Sequence, residues 1–311
     1  MRKFFAVSPT ASGLSESRDF SFECEKAAEG IFSYESTQKI SSTQEYARAQ
    51  ILPMSLWSII AVDHLEIDAE SKVLDTCCAP GMKLVYAGLR MKGVNSGKSI
   101  TGVDISRERL NIAASLVKKY RVPGVRLIQG DSTSLESSPV REATLLEAQT
   151  VPSSACRCRM AQEGTSQSVQ RVHYTSTGLR KFGHVHEERY NRILVDPECT
   201  QTSTVKYAEG ARPREGKDYA SEQKQILRRS IRMLEEGGII VYSTCTFEPS
   251  ENEAVISAVL QESPHMERVE IEEETLRRYG VSTQNRRSTD TYKLELGDSL
   301  FIAKLKYSKQ S

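Results

Sequence analysis

The chain has 311 residues, 38% of them apolar and 27% charged, which suits one large or two small globular domains with a real core. Its 42 Lys and Arg nearly balance 41 Asp and Glu to a net charge of +1, so no global field draws it to nucleic acid or membrane, and any such contact must come from local patches. No stretch of about eighteen apolar residues is present, so no transmembrane helix is expected. The seven cysteines form no repeating framework: Cys77 and Cys78 are adjacent, and Cys156 and Cys158 stand one residue apart, which is not a zinc-ligand spacing. The pattern reads as a reduced, intracellular protein without a structural metal.

The opening Met1-Arg2-Lys3-Phe4-Phe5 is weakly presequence-like, but Glu16, Asp19, Glu23 and Glu25 follow too soon for a long transit peptide. Residues 1–42, rich in Ser and Glu with scattered Phe, read as a flexible amino-terminal extension with one short docked helix over 22–31. Leu52, Leu56, Ile59, Ile60 and Leu65 recur at helical spacing, so a helix is expected over 43–65 with Pro53 at its start or kink. The main domain is expected to span 43–307.

That domain opens with Val73 and Leu74 as a short buried strand ended by Asp75. Ala79-Pro80-Gly81 is a tight turn, and Leu84 to Leu89 begin a helix. Such a turn lets backbone approach a ligand closely, and the helix amino end favours a negative group. The three fixed glycines of a dinucleotide site are missing. A second strand over 99–104 ends in Asp104, and a helix follows over 105–120 with Leu110, Ala114 and Val117 on one face. A third strand over 125–131 ends in Asp131. Single loop carboxylates are usually only solvated. A series of strand-ending acids at Asp75, Asp104 and Asp131 instead suits adenosine recognition by an S-adenosylmethionine-dependent methyltransferase better than recognition of a dinucleotide.

Residues 132–188 have no clear period and read as a flexible insertion with a short helix over 141–148. Arg157, Arg159, Arg171, Arg180, Lys181 and the histidines 173, 184 and 186 suit an RNA-contacting arm as well as an insertion without a role. Ile193, Leu194 and Val195 resume the sheet, with Asp196-Pro197-Glu198-Cys199 at the strand end. A loop over 201–217 carries Lys206, Arg212, Arg214 and Lys217, and an amphipathic helix over 218–236 turns Lys224, Arg228, Arg229 and Arg232 outward. That basic face is a solvated surface or a phosphate contact. After a Gly237-Gly238 turn, a strand delivers Cys245 to its carboxyl end, and Pro249-Ser250-Glu251 starts a helix. A free cysteine is usually a small buried hydrophobe. A second cysteine, Cys199, at the end of another central strand favours a functional pair. An acidic stretch over 267–274 and a polar loop follow, and 291–296 and 299–306 read as a hairpin around Gly297-Asp298.

These residues resemble the Sun-type RNA cytosine-5 methyltransferases, the RsmB and NSUN group, over roughly 45–306 apart from the insertion. Cys77-Cys-Ala-Pro-Gly-Met-Lys83 is similar to the family's Cys-Ala-Ala-Pro-Gly-Gly-Lys loop. Tyr242-Ser-Thr-Cys-Thr with Pro249-x-Glu251-Asn-Glu253 is very close to its second cysteine motif, and Asp298-Ser-Leu-Phe-Ile-Ala-Lys304 to its closing strand. Two positions depart: Asp-Ala-Pro-Cys-Ser-Gly appears as Asp196-Pro-Glu-Cys199-Thr-Gln, and Met82 replaces a glycine.

The resemblance implies an α/β, Rossmann-like S-adenosylmethionine-dependent methyltransferase fold, a mostly parallel sheet with helices on both faces. It implies Cys245 as the nucleophile, Asp196 as the partner of cytosine N3, Cys199 in product release and Lys83 near the base. It implies S-adenosyl-L-methionine held by Cys77, Cys78, Ala79, Pro80, Gly81, Met82, Lys83, Asp104, Asp131 and Asp196, with Arg109 supporting the second-strand loop or merely on the surface. The expected substrate is rRNA or tRNA, and the expected protein is a monomer, with a ribosomal or RNA–protein partner to aid binding. Cytoplasm, nucleus and mitochondrion all remain open as its compartment. A catalytically impaired methyltransferase-fold assembly factor is the alternative, and a nitrogen methyltransferase ranks behind both.

Overall fold

The computed structural model describes residues 2–9, 11, 13–91, 100–135, 171–175, 189–271, 276–277, 279, 291–293 and 299–308. The loose extension expected at the amino end is instead a small antiparallel sheet. It contains β1 (Arg2–Val7), β2 (Glu25–Ala28), β3 (Ile31–Glu35) and β4 (Ile51–Met54) in the order β2-β3-β1-β4. Its residues alternate between two buried faces, the period of a strand. Phe5, Phe32 and Ile51 pack with Phe20 and Tyr34 on one side, and the Phe5 and Phe32 rings stack at 5.5 Å. Ala6, Ile31, Leu52 and Met54 face the main domain. The helix expected over 22–31 is replaced by β2, a turn at Gly30 with φ +69°, and β3. The helix expected over 43–65 is divided into α1 (Gln44–Ala47), β4 and α2 (Leu56–Asp63). Pro53 lies within β4, which among the described residues is an edge strand paired with β1 alone, where a missing N–H is tolerated. Helix α2 carries Trp57, the chain's one tryptophan, 3% exposed in the core that both sheets share.

The main sheet follows the expected series. It runs through β5 (Val73–Asp75), α3 (Met82–Arg90), β6 (Ile100–Asp104), α4 (Arg107–Lys119) and β7 (Val125–Gln129). After β8 (Arg171–Thr175) come β9 (Tyr190–Val195), the single turn α5 (Val205–Ala208), α6 (Tyr219–Met233), β10 (Leu234–Thr244) and α7 (Glu253–Glu262). The carboxyl-terminal strands are β11 (Met266–Val269), β12 (Thr291–Lys293) and β13 (Ser299–Tyr307). Among the described residues the order is β11-β13-β10-β9-β5-β6-β7-β8, with β12 paired to β13. The strands from β10 to β7 run parallel, and β8, β11, β12 and β13 pair antiparallel at the flanks.

Alternate residues of each central strand enter opposite cores. Val73, Leu194 and Val241 join the core under α2, α3 and α4, whereas Leu74, Ile193, Val195 and Ile240 join the core under α6 and α7. The chain builds outward from β5 through β6 and β7, then returns to lay β9 on the other side of β5. That reversal opens a crevice at the carboxyl ends of β5 and β9, where open α/β sheets bind ligands.

Several local expectations change. On α4 the buried positions are Leu110, Ala113 and Val117, with Ala114 only half-buried. Helix α6 stops at Met233, and Gly237-Gly238 lies inside β10, where pairing with β9 slips between Leu234 and Ile239. Part of the acidic stretch is edge strand β11, whose Glu267 and Arg268 are exposed. The insertion contributes β8 to the sheet edge, while its expected helix at 141–148 and the turn at Gly297-Asp298 lie outside the described residues. No helix among the described residues is long and apolar enough to cross a membrane. No group of three or more His, Cys, Asp or Glu among them could hold a metal ion.

Candidate active site

The turn after β5 is tied down by its backbone. Thr76 N–H donates to Leu194 O at 3.0 Å, and Cys78 N–H to Val103 O at 2.9 Å, which anchors the turn to both neighbouring strands. Ala79 N–H donates to Asp104 Oδ2 at 3.1 Å, and the Arg109 guanidinium donates to Ala79 O. Arg109 thus ties the turn after β5, and its half-exposed guanidinium stands 3.8 Å from Asp104 Oδ2 at the end of β6. Gly81 has φ +106°, and a Cβ there would stand 2.8 Å from Ala113 Cβ, so only glycine lets α3 start so close to α4. A Cβ on Gly102 would meet Cys78 Sγ at 2.8 Å. Cys78 and Ala79 are buried by this packing, Cys77, Met82 and Lys83 are half-buried, and Pro80 is exposed.

The acids stand at adjacent strand ends. Asp104 is 5% exposed and also accepts from Ser106 N–H at 2.9 Å. Asp131 Oδ1 accepts from Thr133 N–H and Oγ1–H at 2.9 and 2.7 Å, and its Oδ2 has no partner among the described residues. Burial, helped by the like charge of Asp196, pushes the Asp75 carboxyl up to about 7. Ile105, directly after Asp104, is 69% exposed, an open apolar surface that the sequence reading passed over. Its signal is an apolar residue placed immediately after a strand-ending acid.

The other half of the crevice lies between β9 and β10. Lys83 Nζ of α3 sits 2.7 Å from Asp196 Oδ2, and Ser243 Oγ–H donates to Asp196 Oδ1 at 2.7 Å. Burial opposes the charge on Lys83, yet the Asp196 carboxylate, with Asp75 and Cys245 nearby, holds its pKa above the usual lysine value. Ser243 was also missed, although the strand period of two puts it on the same side as Cys245. The Cys199 and Cys245 sulfurs approach to 3.3 Å. The hydrogen bond with Cys245, together with burial, holds the Cys199 thiol well above the usual cysteine range. Burial, with Asp75 beside it, raises Cys77 and Cys78 as well, so both are kept as thiols.

Structure thus brings Cys245, Cys199, Asp196 and Lys83 into one cluster, with the turn 77–82, Asp104 and Asp131 along the same edge of the sheet. Glu198 does not join the cluster. It is exposed and pairs with Lys217 at 2.9 Å and Arg214 at 3.6 Å. A cavity of about 180 Å³ opens beside Cys199, lined by Thr204, Tyr207, Arg212 and Arg214 among others. Much of the expected basic face is engaged internally. Arg228 pairs with Glu262 at 2.6 Å, Lys217 also pairs with Glu222 at 2.9 Å, and Arg229 Nε–H donates to Thr133 O at 3.2 Å.

Strand order, strand-end acids and the turn into α3 define the Rossmann-like fold found in S-adenosylmethionine-dependent methyltransferases. The family model described as 16S rRNA methyltransferase RsmB/F matches residues 156–306, a finding that supports the resemblance to the Sun-type family. A probable ribosomal RNA small subunit methyltransferase B of Bacillus subtilis is 26% identical over 235 residues, covering 73% of this chain and 41% of the relative. A tRNA (cytosine(72)-C(5))-methyltransferase of Pyrococcus horikoshii is 23% identical over 229 residues, covering 73% of this chain and 46% of the relative. The chain therefore spans less than half the length of these two relatives. The structure of NSun6 from Pyrococcus horikoshii superposes with a TM-score of 0.61 at 19% identity, over 88% of this chain and 57% of that one. A methyltransferase homologue from the same organism gives a TM-score of 0.61 at 20% identity, over 99% of this chain and 87% of its own.

Proposed function

We propose that the protein is an RNA cytosine-5 methyltransferase that uses S-adenosylmethionine and acts on rRNA or tRNA through a covalent cysteine–cytosine intermediate. The 3.3 Å approach of Cys199 and Cys245 beside the Lys83–Asp196 pair carries the reading. The residues at the strand ends fit the cofactor. Asp104 and Asp131 offer acceptors for ribose hydroxyls and the adenine amine, Asp131 through its unpartnered Oδ2, and Ile105 offers a bare apolar face to the adenine ring. The turn 77–83 lines the same edge, with Asp196 facing it across Lys83. The cofactor, when bound, supplies an electrophilic methyl group.

Carbon 5 of cytosine is a poor nucleophile until the ring loses its aromaticity. Attack by the Cys245 thiolate forms the Sγ–C6 bond and makes carbon 5 enamine-like. Charge then grows at N3, and a proton passed from Lys83 by way of Asp196, which accepts from its Nζ at 2.7 Å, answers it. Once carbon 5 carries the methyl group, its proton passes to water, the C5–H pair closes the C5–C6 double bond, and the Sγ–C6 pair returns to Cys245. The Cys199 thiol, 3.3 Å away, donates a hydrogen bond to the departing sulfur. Attack comes from the ring face, so the cytosine must be flipped or single-stranded. A ribosomal or RNA–protein partner would supply RNA contacts that the engaged basic face does not, and the catalytic unit is a monomer.

The test uses Cys199→Ala protein with S-adenosylmethionine and total cellular RNA. An RNA adduct that survives denaturing electrophoresis and disappears in Cys199→Ala/Cys245→Ala supports the reading. Cofactor binding without any adduct overturns it in favour of an assembly role.

A further inference from the structure

The segment 196–203 has no regular structure, and among the described residues one backbone bond, Ser203 N–H to Cys245 O at 3.3 Å, joins it to the end of β10. Its side-chain anchors converge on two neighbouring buried residues before α7. Glu251, 3% exposed, accepts from Thr200 N–H at 3.1 Å and Thr200 Oγ1–H at 2.6 Å. It also accepts from Gln223 Nε2–H at 2.9 Å, and the same amide donates to Glu198 O at 3.0 Å. Both neighbours of Cys199 are thus tied to the Glu251–Gln223 pair. Gln223 Oε1 is buried without a partner among the described residues, so this side chain is present to donate. Asn252, 1% exposed, does the same for Cys245: its Oδ1 accepts from Thr244 Oγ1–H at 2.5 Å, and its Nδ2–H donates to Thr246 O at 3.0 Å.

A line of hydroxyls joins the two loops, and its direction follows from the one proton each hydroxyl carries. Thr200 gives its proton to Glu251, so Thr246 must donate to Thr200 at 2.6 Å. Thr202 must then donate to Thr246 at 2.9 Å, and it accepts from Phe247 N–H at 2.9 Å. The whole line terminates on Glu251, whose two side-chain oxygens accept at every bond.

We infer that Glu251 is a positioning residue that, with Asn252, holds the Cys199 and Cys245 loops in register and so sets the separation of the two sulfurs. The mechanistic consequence rests on the proposed cytosine-5 chemistry; the geometric one does not. Glu251→Gln keeps the volume but turns an NH₂ toward groups that are themselves donors. The Cys199 loop then drifts, while Asn252 still holds Cys245.

The first readout needs no RNA. Diamide oxidation followed by peptide mass spectrometry measures the rate of Cys199–Cys245 crosslinking. Glu251→Gln should slow it about tenfold or more, and a rate equal to that of the unaltered protein overturns the inference. Thr200→Val, which removes one hydroxyl and keeps the shape, should act in the same direction more weakly, and it decides the matter if Glu251→Gln does not fold.

The second readout uses S-adenosylmethionine with total cellular RNA. Glu251→Gln should accumulate adduct with Cys199 intact, with kcat lowered and KM for RNA little changed. A parallel loss of adduct and turnover in step with the unfolded fraction overturns the positioning role. Cys199→Ala runs alongside: absence of adduct there sinks the cytosine-5 reading, and the crosslinking rate still judges Glu251 on its own.

Discussion

The two halves of the crevice are built by opposite means. The turn after β5 is fixed by main-chain bonds to β6 and β9 and by glycines whose places leave no room for a Cβ. The loop after β9 has, among the described residues, one backbone tie to β10 and depends on buried side chains, above all Glu251 and Gln223. Backbone packing gives a rigid edge that changes only if the fold changes. Side-chain anchoring gives a loop whose geometry depends on protons and single atoms, which suits the half that holds Cys199 and Cys245.

The largest effect should come from forcing atoms into the rigid half. Gly81→Ala would combine φ +106° with a 2.8 Å approach to Ala113, at a cost of about 3 kcal/mol. Thermal melting would show the loss, and cofactor binding should fall with it. A melting curve like that of the unaltered protein would mean that the turn is not sterically set.

Lys83→Met probes the opposite half. It leaves Asp196 with Ser243 alone and should cut turnover about a hundredfold, with a stability cost of about 1 kcal/mol. A drop in melting temperature as large as that of Gly81→Ala would erase the proposed contrast between the halves.

Asp75 lies between the two and gives a smaller, pH-dependent signal. Its carboxyl is raised from 3.8 in the unfolded chain to about 7 in the fold. The folded state therefore binds more protons within that window, and this contribution to stability is fully present below pH ~4 and lost as pH rises toward ~7. Denaturation midpoints followed from acid to neutral pH should fall more steeply for the unaltered protein than for Asp75→Asn; identical slopes would remove Asp75 as the cause. The smallest effect belongs to Glu198→Ala. It breaks exposed pairs with Lys217 and Arg214 and should cost under about 1 kcal/mol, leaving the Cys199–Cys245 crosslinking rate unchanged.

The central strands were legible because burial on both faces makes them continuous apolar runs, and their carboxyl ends were marked by Asp75, Asp104, Asp196 and Cys245. The small sheet was not. Its strands are short, β1 pairs with partners remote in sequence, and its Ser- and Glu-rich surroundings hide the alternation of Phe5 with Ala6 and of Ile31 with Phe32. Edge strand β11 was hidden by the charges that protect its open side. In the site, residue types announced the thiols and the lysine. The roles of Ser243, Ile105 and Glu251 depend on distances that no spacing reveals. Glu251 in particular reads as a helix-start residue, and it does precede α7; only the fold shows that its carboxylate points back into the cysteine loops.

Trp57 gives the protein its own optical probe. The chain's single tryptophan lies on α2, 3% exposed, in the core where the small sheet meets the main domain. Intrinsic fluorescence therefore reports one location. Its emission should shift to longer wavelength as that junction opens to water, so the seating of the small sheet on the main domain can be followed in solution without a label.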